Sequence, residues 1–424
     1  MNDMLWSDRL PPLWTRQKLK YVARFIGGGT PDKSKSEFWN GDIPWVSPKD
    51  MKTEEIFDTE DHITPEGLQS SATNLVQPGA ALIVVRSGIL RHSIPVAINR
   101  VPATINQDIR AIVPNDCLRV DYLARLIDGF QAELLRLWSK EGATVESLEY
   151  DLVASTEIPV PPMVAQTSIV AFLDRETAGI DALLAAKQRL LELLAEKRRA
   201  IVTEAIMRGL NPAAPLRPSG IDWLGDIPAH WPIERSRWLF RERDERSETG
   251  TEEMLTVSHL TGVTPRSEKD VNMFEAESTV GYKLCFAGDL VINTLWAWMG
   301  AMGTARVDGI VSPAYNVYTP GPRLLPDYVD ALVRIPVFAQ EVTRYSKGVW
   351  SSRLRLYPEG FFETYWPVPS LDEQREIVSR IAAEAAKIDR LRAATEHSIT
   401  LLKERRGALI AAAVTGQIDM PEAA

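Results

Sequence analysis

Cysteine is nearly absent from these 424 residues: Cys117 and Cys285 are the two present, too few for a disulfide framework and without metal-ligand spacing. The histidines (His62, His92, His230, His259 and His397) are scattered, with no pair spaced like a metal site. No apolar run is long enough to span a bilayer, and the N-terminus lacks a basic-then-apolar leader. A reducing cytoplasm is therefore the expected compartment, with no membrane partner. A phosphate cradle is missing too. Gly27-Gly28-Gly29 leads into Thr30-Pro31 rather than Lys-Ser/Thr, so a P-loop is excluded and a tight turn is expected. There is no dinucleotide-type Gly-rich turn, no Asn/Asp-Pro-Pro-aromatic pocket and no cluster of metal-binding carboxylates, which argues against a self-contained nuclease or methyltransferase. Positive charge is also short, with 48 Lys and Arg against 57 Asp and Glu, a net of −9. A free-standing DNA binder normally presents a basic surface. Residues 1–157 carry 17 basic and 22 acidic side chains, and residues 211–365 carry 16 and 20. Contact with DNA would need local patches and help from partners.

What the chain does have is a duplication. Shifted by 208 residues, Pro159 to Ala205 lands on Pro367 to Ala413 without a gap. Gln166 falls on Gln374, Ile180-Asp181 on Ile388-Asp389, Leu193-Leu194 on Leu401-Leu402, and Arg198 on Arg406. A repeat this long is not a solenoid unit; it implies two similar domains about a pseudo-two-fold axis, suited to a target with two half-sites.

Each repeat reads as a head followed by a helical tail. Val164 to Arg208 has no proline and one glycine and is rich in helix formers. Leu173, Ile180, Leu194 and Ile201 recur in heptad phase through Lys187, and Ile381, Ile388, Leu402 and Leu409 keep that phase through Thr395. The spacing predicts a coiled-coil seam, antiparallel because pseudo-two-fold repeats point in opposite directions. Ser370 and Glu373 form a capping box that starts the second helix near Leu371, while Gly209 and Gly416 stop the two helices. At 1.5 Å per residue the tails make a rod of roughly 65 Å.

The heads open alike, with Trp6, Pro11 and Trp14 matching Trp223, Pro228 and Trp231, and then diverge. Faint echoes remain in Ala81-Leu-Ile-Val-Val85 and Leu290-Val-Ile292, apolar runs after turn residues that read as buried strands. Trp296 and Trp298 alternate, so in a strand they would face one side, with core packing expected for at least one. The expected division is head 1–157, helical spacer 158–210, linker 211–224, head 225–365, helical spacer 366–418 and tail 419–424. The fold class is α/β: two α/β heads joined by two long antiparallel coiled-coil helices.

These features together resemble the specificity subunit of type I restriction–modification enzymes, over nearly the whole chain. In the first head the resemblance rests on Gly27-Gly-Gly-Thr30-Pro31, on Phe38-Trp39-x-Gly41-Asp42-Ile43-Pro44-Trp45-Val46-Ser47 and on Ile105-Asn106-Gln107. In the second it rests on Gly288-Asp289-Leu-Val-Ile-Asn293-x2-Trp296-Ala-Trp298-Met-Gly300 and Ser312-Pro313-Ala-Tyr315. The Pro-Val-Pro lead-in to each helix fits as well. The resemblance implies two target recognition domains, each reading one half of a bipartite double-stranded DNA site. It implies two modification subunits, docked one per repeat and methylating adenine, with restriction subunits added to that core. S-adenosylmethionine, ATP and Mg would sit on those partners, and this chain would bind no cofactor and catalyse nothing.

Two stretches free of acidic residues are the candidate DNA surfaces. Gly79 to Gln107 holds Arg86, Arg91 and Arg100, with Ser87, His92, Asn106 and Gln107 able to reach base edges. Val342 to Pro358 holds Arg344, Lys347, Arg353 and Arg355 interleaved with Tyr345, Trp350 and Tyr357. Taken singly, each arginine also fits a solvated face. Glu196-Lys197-Arg198-Arg199 and Glu404-Arg405-Arg406 read as coiled-coil flanks or as docking contacts for a modification subunit. A solitary DNA-binding regulator on the same fold, or a silent recognition module, stays open at this point; a pure scaffold would leave two unlike heads without purpose.

Overall fold

A computed structural model describes residues 10–140, 145–268, 278–348 and 354–418. Trp6, Trp350 and Arg353 lie outside the described residues. The chain divides into two compact units, Met1–Gln188 with Glu396–Ala424, and Arg189–Thr395. Each contains one head and a stretch of both long helices.

In the first unit Thr15–Lys18 pairs antiparallel with Glu157–Val160, closing the head at its base. A five-stranded sheet follows in the order Ala23–Gly27, Ile109–Pro114, Ala81–Val84, Val96–Asn99, Glu55–Ile56. Ala81–Val84 is buried at every position, which explains its unbroken apolar run. Helices Val120–Gly129 and Gln131–Trp138 cover the sheet, and Leu82, Ile83, Ile112, Leu123 and Leu126 form an aliphatic core with Trp138.

The second unit repeats this plan. Ile233–Arg235 pairs with Tyr365–Pro367, and a sheet runs Phe240–Arg243, Tyr315–Pro320, Leu290–Asn293, Met302–Thr304. These strands occupy the places of the first four in the other head, with the same antiparallel pairings. Even the turn glycines before the central strands, Gly79 and Gly288, share a φ of +95°. The sequences diverge because the cores differ in kind. Here the filling is aromatic, with Tyr318 stacked on Phe361 at 4.2 Å and Trp366 packed against Phe240 and Phe338 at 4.8 and 4.9 Å. Aromatic rings of that size carry the burial that several aliphatic side chains carry in the first head.

The tails form helices Met163–Arg208 and Leu371–Val414. Ser370 and Glu373 make the capping box: the Glu373 carboxylate accepts from the Ser370 backbone N–H at 3.1 Å, and Glu373 N–H donates to Ser370 Oγ at 3.3 Å. Gly209 and Gly416 end the helices in the left-handed region, at φ +71° and +72°. In the first unit Asp181 of one helix meets Arg406 of the other; in the second, Arg198 meets Asp389. A later position on one helix thus pairs with an earlier one on the other, which makes the pair antiparallel. Leu173, Leu194 and Ile388 are buried, and Ile180, Ile201, Ile381, Leu402 and Leu409 are half-buried. Among the described residues no helix is long and apolar enough to cross a membrane.

One buried glutamine fixes each head to its helix. Gln166 Nε2 donates to the carbonyls of Cys117 and Pro161, both at 2.8 Å, while its Oε1 accepts from Arg119 N–H at 2.7 Å. Gln374 does the same with Arg323, Pro369 and Leu325, at 2.9, 2.9 and 2.8 Å. A buried amide with its capacity filled this way fixes geometry, because any shift strands polar groups.

Candidate nucleic-acid interface

The two sequence motifs of the first head meet in space. Gly28 lies against the backbone of Ile105 and Asn106; a Cβ there would sit 2.1 Å from the Asn106 carbonyl oxygen, so only glycine fits. Gly29 N–H donates to Ile105 O at 3.0 Å, and Trp45 Nε1 donates to Gly29 O at 3.0 Å. Thr30 Oγ1 bonds to Gln107 Oε1. Gly28 and Gly29 therefore serve close backbone packing, Gly27 ends the strand Ala23–Gly27, and no turn forms at these residues, which corrects the expectation of a tight turn. Asn106 is buried, with its side chain spent on Asp108: Nδ2 donates to the carboxylate at 3.3 Å and Oδ1 accepts from Asp108 N–H at 3.0 Å. Gln107 is exposed beside it.

Arg86, Ser87, Arg91 and His92 sit on the loop joining Ala81–Val84 to Val96–Asn99, around the short 3₁₀ helix Gly88–Arg91. Ser87 caps that helix, accepting from Ile89 N–H at 3.4 Å. His92 and both arginines are exposed. Freedom from acids in sequence does not carry over to space. Arg86 Nε donates to Asp108 at 2.7 Å, Arg91 Nε to Glu146 at 3.1 Å, and Arg100 Nη2 to Asp121 at 2.8 Å. Arg100 is thereby a structural strut of the head, while Arg86 and Arg91 keep guanidinium edges at the surface.

In the second head Arg344 lies in the last turn of the helix Pro336–Tyr345, with Asp222 at 3.7 Å and the Tyr345 ring at 5.9 Å. Lys347 and Arg355 face each other across a two-way backbone bridge, each N–H donating to the other's carbonyl at 2.9 Å. The Arg355 guanidinium lies 5.4 Å from the Tyr357 ring centroid. Arg344, Lys347 and Arg355 are thus brought together with two aromatics, and Arg353 lies outside the described residues.

Sequence reasoning missed the loop beside them. Trp296 and Trp298 are not on a strand; they belong to a 3₁₀ turn, Ala297–Met299, closed by Gly300 at φ +83°. Neither is core: Trp296 is 51% exposed and Trp298 half-buried. This loop joins Leu290–Asn293 to Met302–Thr304, the same connection that carries Arg86 to His92 in the other head. Gly300, able to take a positive φ, was the available signal for a turn.

The sequence model of the family described as "Type I restriction modification DNA specificity domain" matches residues 11–193. The specificity subunit of the type I restriction enzyme EcoR124I/EcoR124II from Escherichia coli is 42% identical over 155 residues, 36% of this chain and 38% of that protein. The specificity subunit of the type I restriction enzyme MjaIX from Methanocaldococcus jannaschii is 31% identical over 171 residues, 39% of this chain and 38% of that protein. The matched part thus spans under two fifths of either relative's length. In fold the chain resembles a chain from a structure titled for complex assembly and conformational transition of the type I R-M system, with a TM-score of 0.69, 16% identity, and coverage of 97% of this chain and 100% of that one.

Proposed function

We propose that this chain, whose residues 11–193 match the type I restriction modification DNA specificity domain and which is similar to type I specificity subunits, is a non-catalytic DNA reader directing adenine methylation and restriction to a bipartite site. Each head reads one half-site, the first through the Arg86–His92 loop with Gln107, the second through Arg344, Lys347, Arg353 and Arg355. The helix pair holds the heads and docks two modification subunits, which bring S-adenosylmethionine; restriction subunits with ATP and Mg complete the complex.

The observation that carries this reading is the repetition of a whole device. The Gln166 and Gln374 clamps, the base strand pair and the sheet order recur in both units, while the exposed loops differ in chemistry. A common scaffold with unlike loops fits a reader of two unlike sequences. The acidic overall balance fits a reader whose partners grip the phosphates. The test is methylome sequencing of a host carrying this chain with its neighbouring modification subunit. Methyladenine at one bipartite motif, present only with this chain, is expected. A stable complex without new methylation would overturn the reading.

A further inference from the structure

The second head presents carbon where the first presents charge. Leu295, Trp296 and Met299 are all exposed on the loop equivalent to Arg86–His92. The loop is not free to collapse and hide them. Trp296 N–H donates to Asn293 O at 3.0 Å, Leu295 N–H to Asn293 Oδ1 at 3.3 Å, and Asn293 Nδ2 to Tyr315 Oη at 3.2 Å. Thr294 Oγ1 donates to Ala314 O at 2.9 Å. The Trp298 ring lies 16° from parallel to Trp296, with centroids 6.4 Å apart, and its own Nε1 is spent on Leu295 O at 3.0 Å. Trp298 therefore backs Trp296 and offers no donor of its own.

The neighbours say what such a surface faces. Leu356 N–H donates to Thr294 O at 3.0 Å, which sets the Lys347–Arg355 bridge directly beside the loop. The helix Pro336–Tyr345, which carries Arg344 in its last turn, packs on the same loop. An apolar tip flanked by cations matches the major groove, where phosphates rim a floor whose apolar feature is the thymine 5-methyl group. Apart from the Trp296 indole N–H the exposed tip is carbon, which cannot read a donor and acceptor pattern but can read a methyl.

We propose that Trp296, supported by Trp298, Leu295 and Met299, is a specificity-determining residue that recognises thymine methyl groups in the half-site of the second head. This rests on the DNA-reading function proposed above. The second head then adds apolar contact to the reading by Arg344, Lys347, Arg353 and Arg355, whereas the first reads by hydrogen bonding.

The test uses the complex of the full chain with its modification subunit, selecting from randomised duplexes, for wild type, Trp296→Ala and Trp296→Leu. The wild type enriches a bipartite motif. Trp296→Ala loses base preference at thymine-bearing positions of one half-site and leaves the other half intact, and Trp296→Leu keeps part of the preference. Replacing those thymines by deoxyuridine weakens wild-type binding about fourfold per methyl, the ~0.8 kcal/mol of one apolar carbon removed from water, and leaves Trp296→Ala unaffected. A wild-type motif with unchanged preference in Trp296→Ala would overturn this inference alone. Weakened assembly with the modification subunit at unchanged base preference would make the patch a protein dock and overturn it too. If the wild type enriched no motif, the DNA-reading function itself would fall.

Discussion

Arg406 Nε donates to the Asp181 carboxylate at 2.8 Å, and the same guanidinium bonds to Asp128 and Glu54. Under the 208-residue shift this pair becomes Arg198 with Asp389, which stand 3.9 Å apart. One contact is written twice, but the head supplies extra carboxylates only once. At the position equivalent to Asp128 the second head has Arg334.

The two arginines should therefore differ in worth. Arg406 is 16% exposed and holds three carboxylates, whereas Arg198 is 53% exposed and holds one at long range. Arg406→Ala should cost about 2–3 kcal/mol, since it strands charge-assisted hydrogen bonds, and Arg198→Ala about 0–1 kcal/mol, as for a surface pair. Denaturant unfolding of both variants reads this directly. Equal losses would mean that Asp128 and Glu54 contribute nothing.

The glutamine clamps give a second prediction. Gln166→Ala and Gln374→Ala should each destabilise by about 2–3 kcal/mol, because a buried N–H and two carbonyls lose their partner. The effects should be alike despite the heads' different cores. If one variant were neutral, the clamp in that head would be dispensable and the repeat argument would weaken.

Much of this architecture is legible in the sequence because helices announce themselves by period. The heptads, the Ser370–Glu373 box and the stops at Gly209 and Gly416 are local signals with local causes. The likeness of the heads is legible only in their matching openings and in faint echoes such as Ala81–Val85 and Leu290–Ile292, since Leu82 and Ile83 in one core do for packing what Tyr318 and Phe361 do in the other. The candidate site is harder still. Arg86 and Arg91 sit in an acid-free window, yet Asp108 and Glu146 reach them from outside it. Asn106 reads as a base contact and is instead spent on its own turn. Trp296 and Trp298 alternate like strand residues, and only the turn closed by Gly300 reveals an exposed loop.

Glu146 restrains Arg91 and should be a brake on DNA binding. Glu146→Gln removes the negative partner while keeping the shape, so affinity should rise and log K should fall more steeply with log salt by roughly one unit. Arg91→Ala should do the reverse. A change confined to particular bases in one half-site would instead mark Arg91 as a base contact, worth about 1–3 kcal/mol of discrimination. Titrations at several salt concentrations separate the two outcomes.

Acid should loosen the second unit through Glu373. Burial works to raise the pKa of this carboxyl, but His230, Trp231 Nε1 and Ser370 outweigh it and hold it at about 2, against a usual 4.5. A folded-state pKa below the unfolded one stabilises the fold above 4.5, and that contribution is lost as pH falls from 4.5 toward 2. Thermal unfolding followed across that window should show a falling midpoint, and Glu373→Gln should flatten this part of the profile. An unchanged slope in the variant would assign acid sensitivity to other carboxylates.

Cys285 offers a reporter of opening in the same unit. It is fully buried, and burial, reinforced by the nearby Asp289 charge, pushes its thiol up to about 12. The thiolate is the species that alkylates, so at neutral pH Cys285 should resist iodoacetamide until the head opens. Arg243 donates to the buried Asp289 at 2.8 Å and to Thr319 at 3.0 Å, tying Phe240–Arg243 to the central strand. Arg243→Ala should leave the Asp289 charge uncompensated and speed Cys285 alkylation well beyond any change at Cys117. Mass spectrometry of the two cysteine peptides over time distinguishes them. If native Cys285 reacted as fast as in denatured protein, the buried environment assigned to it would be wrong.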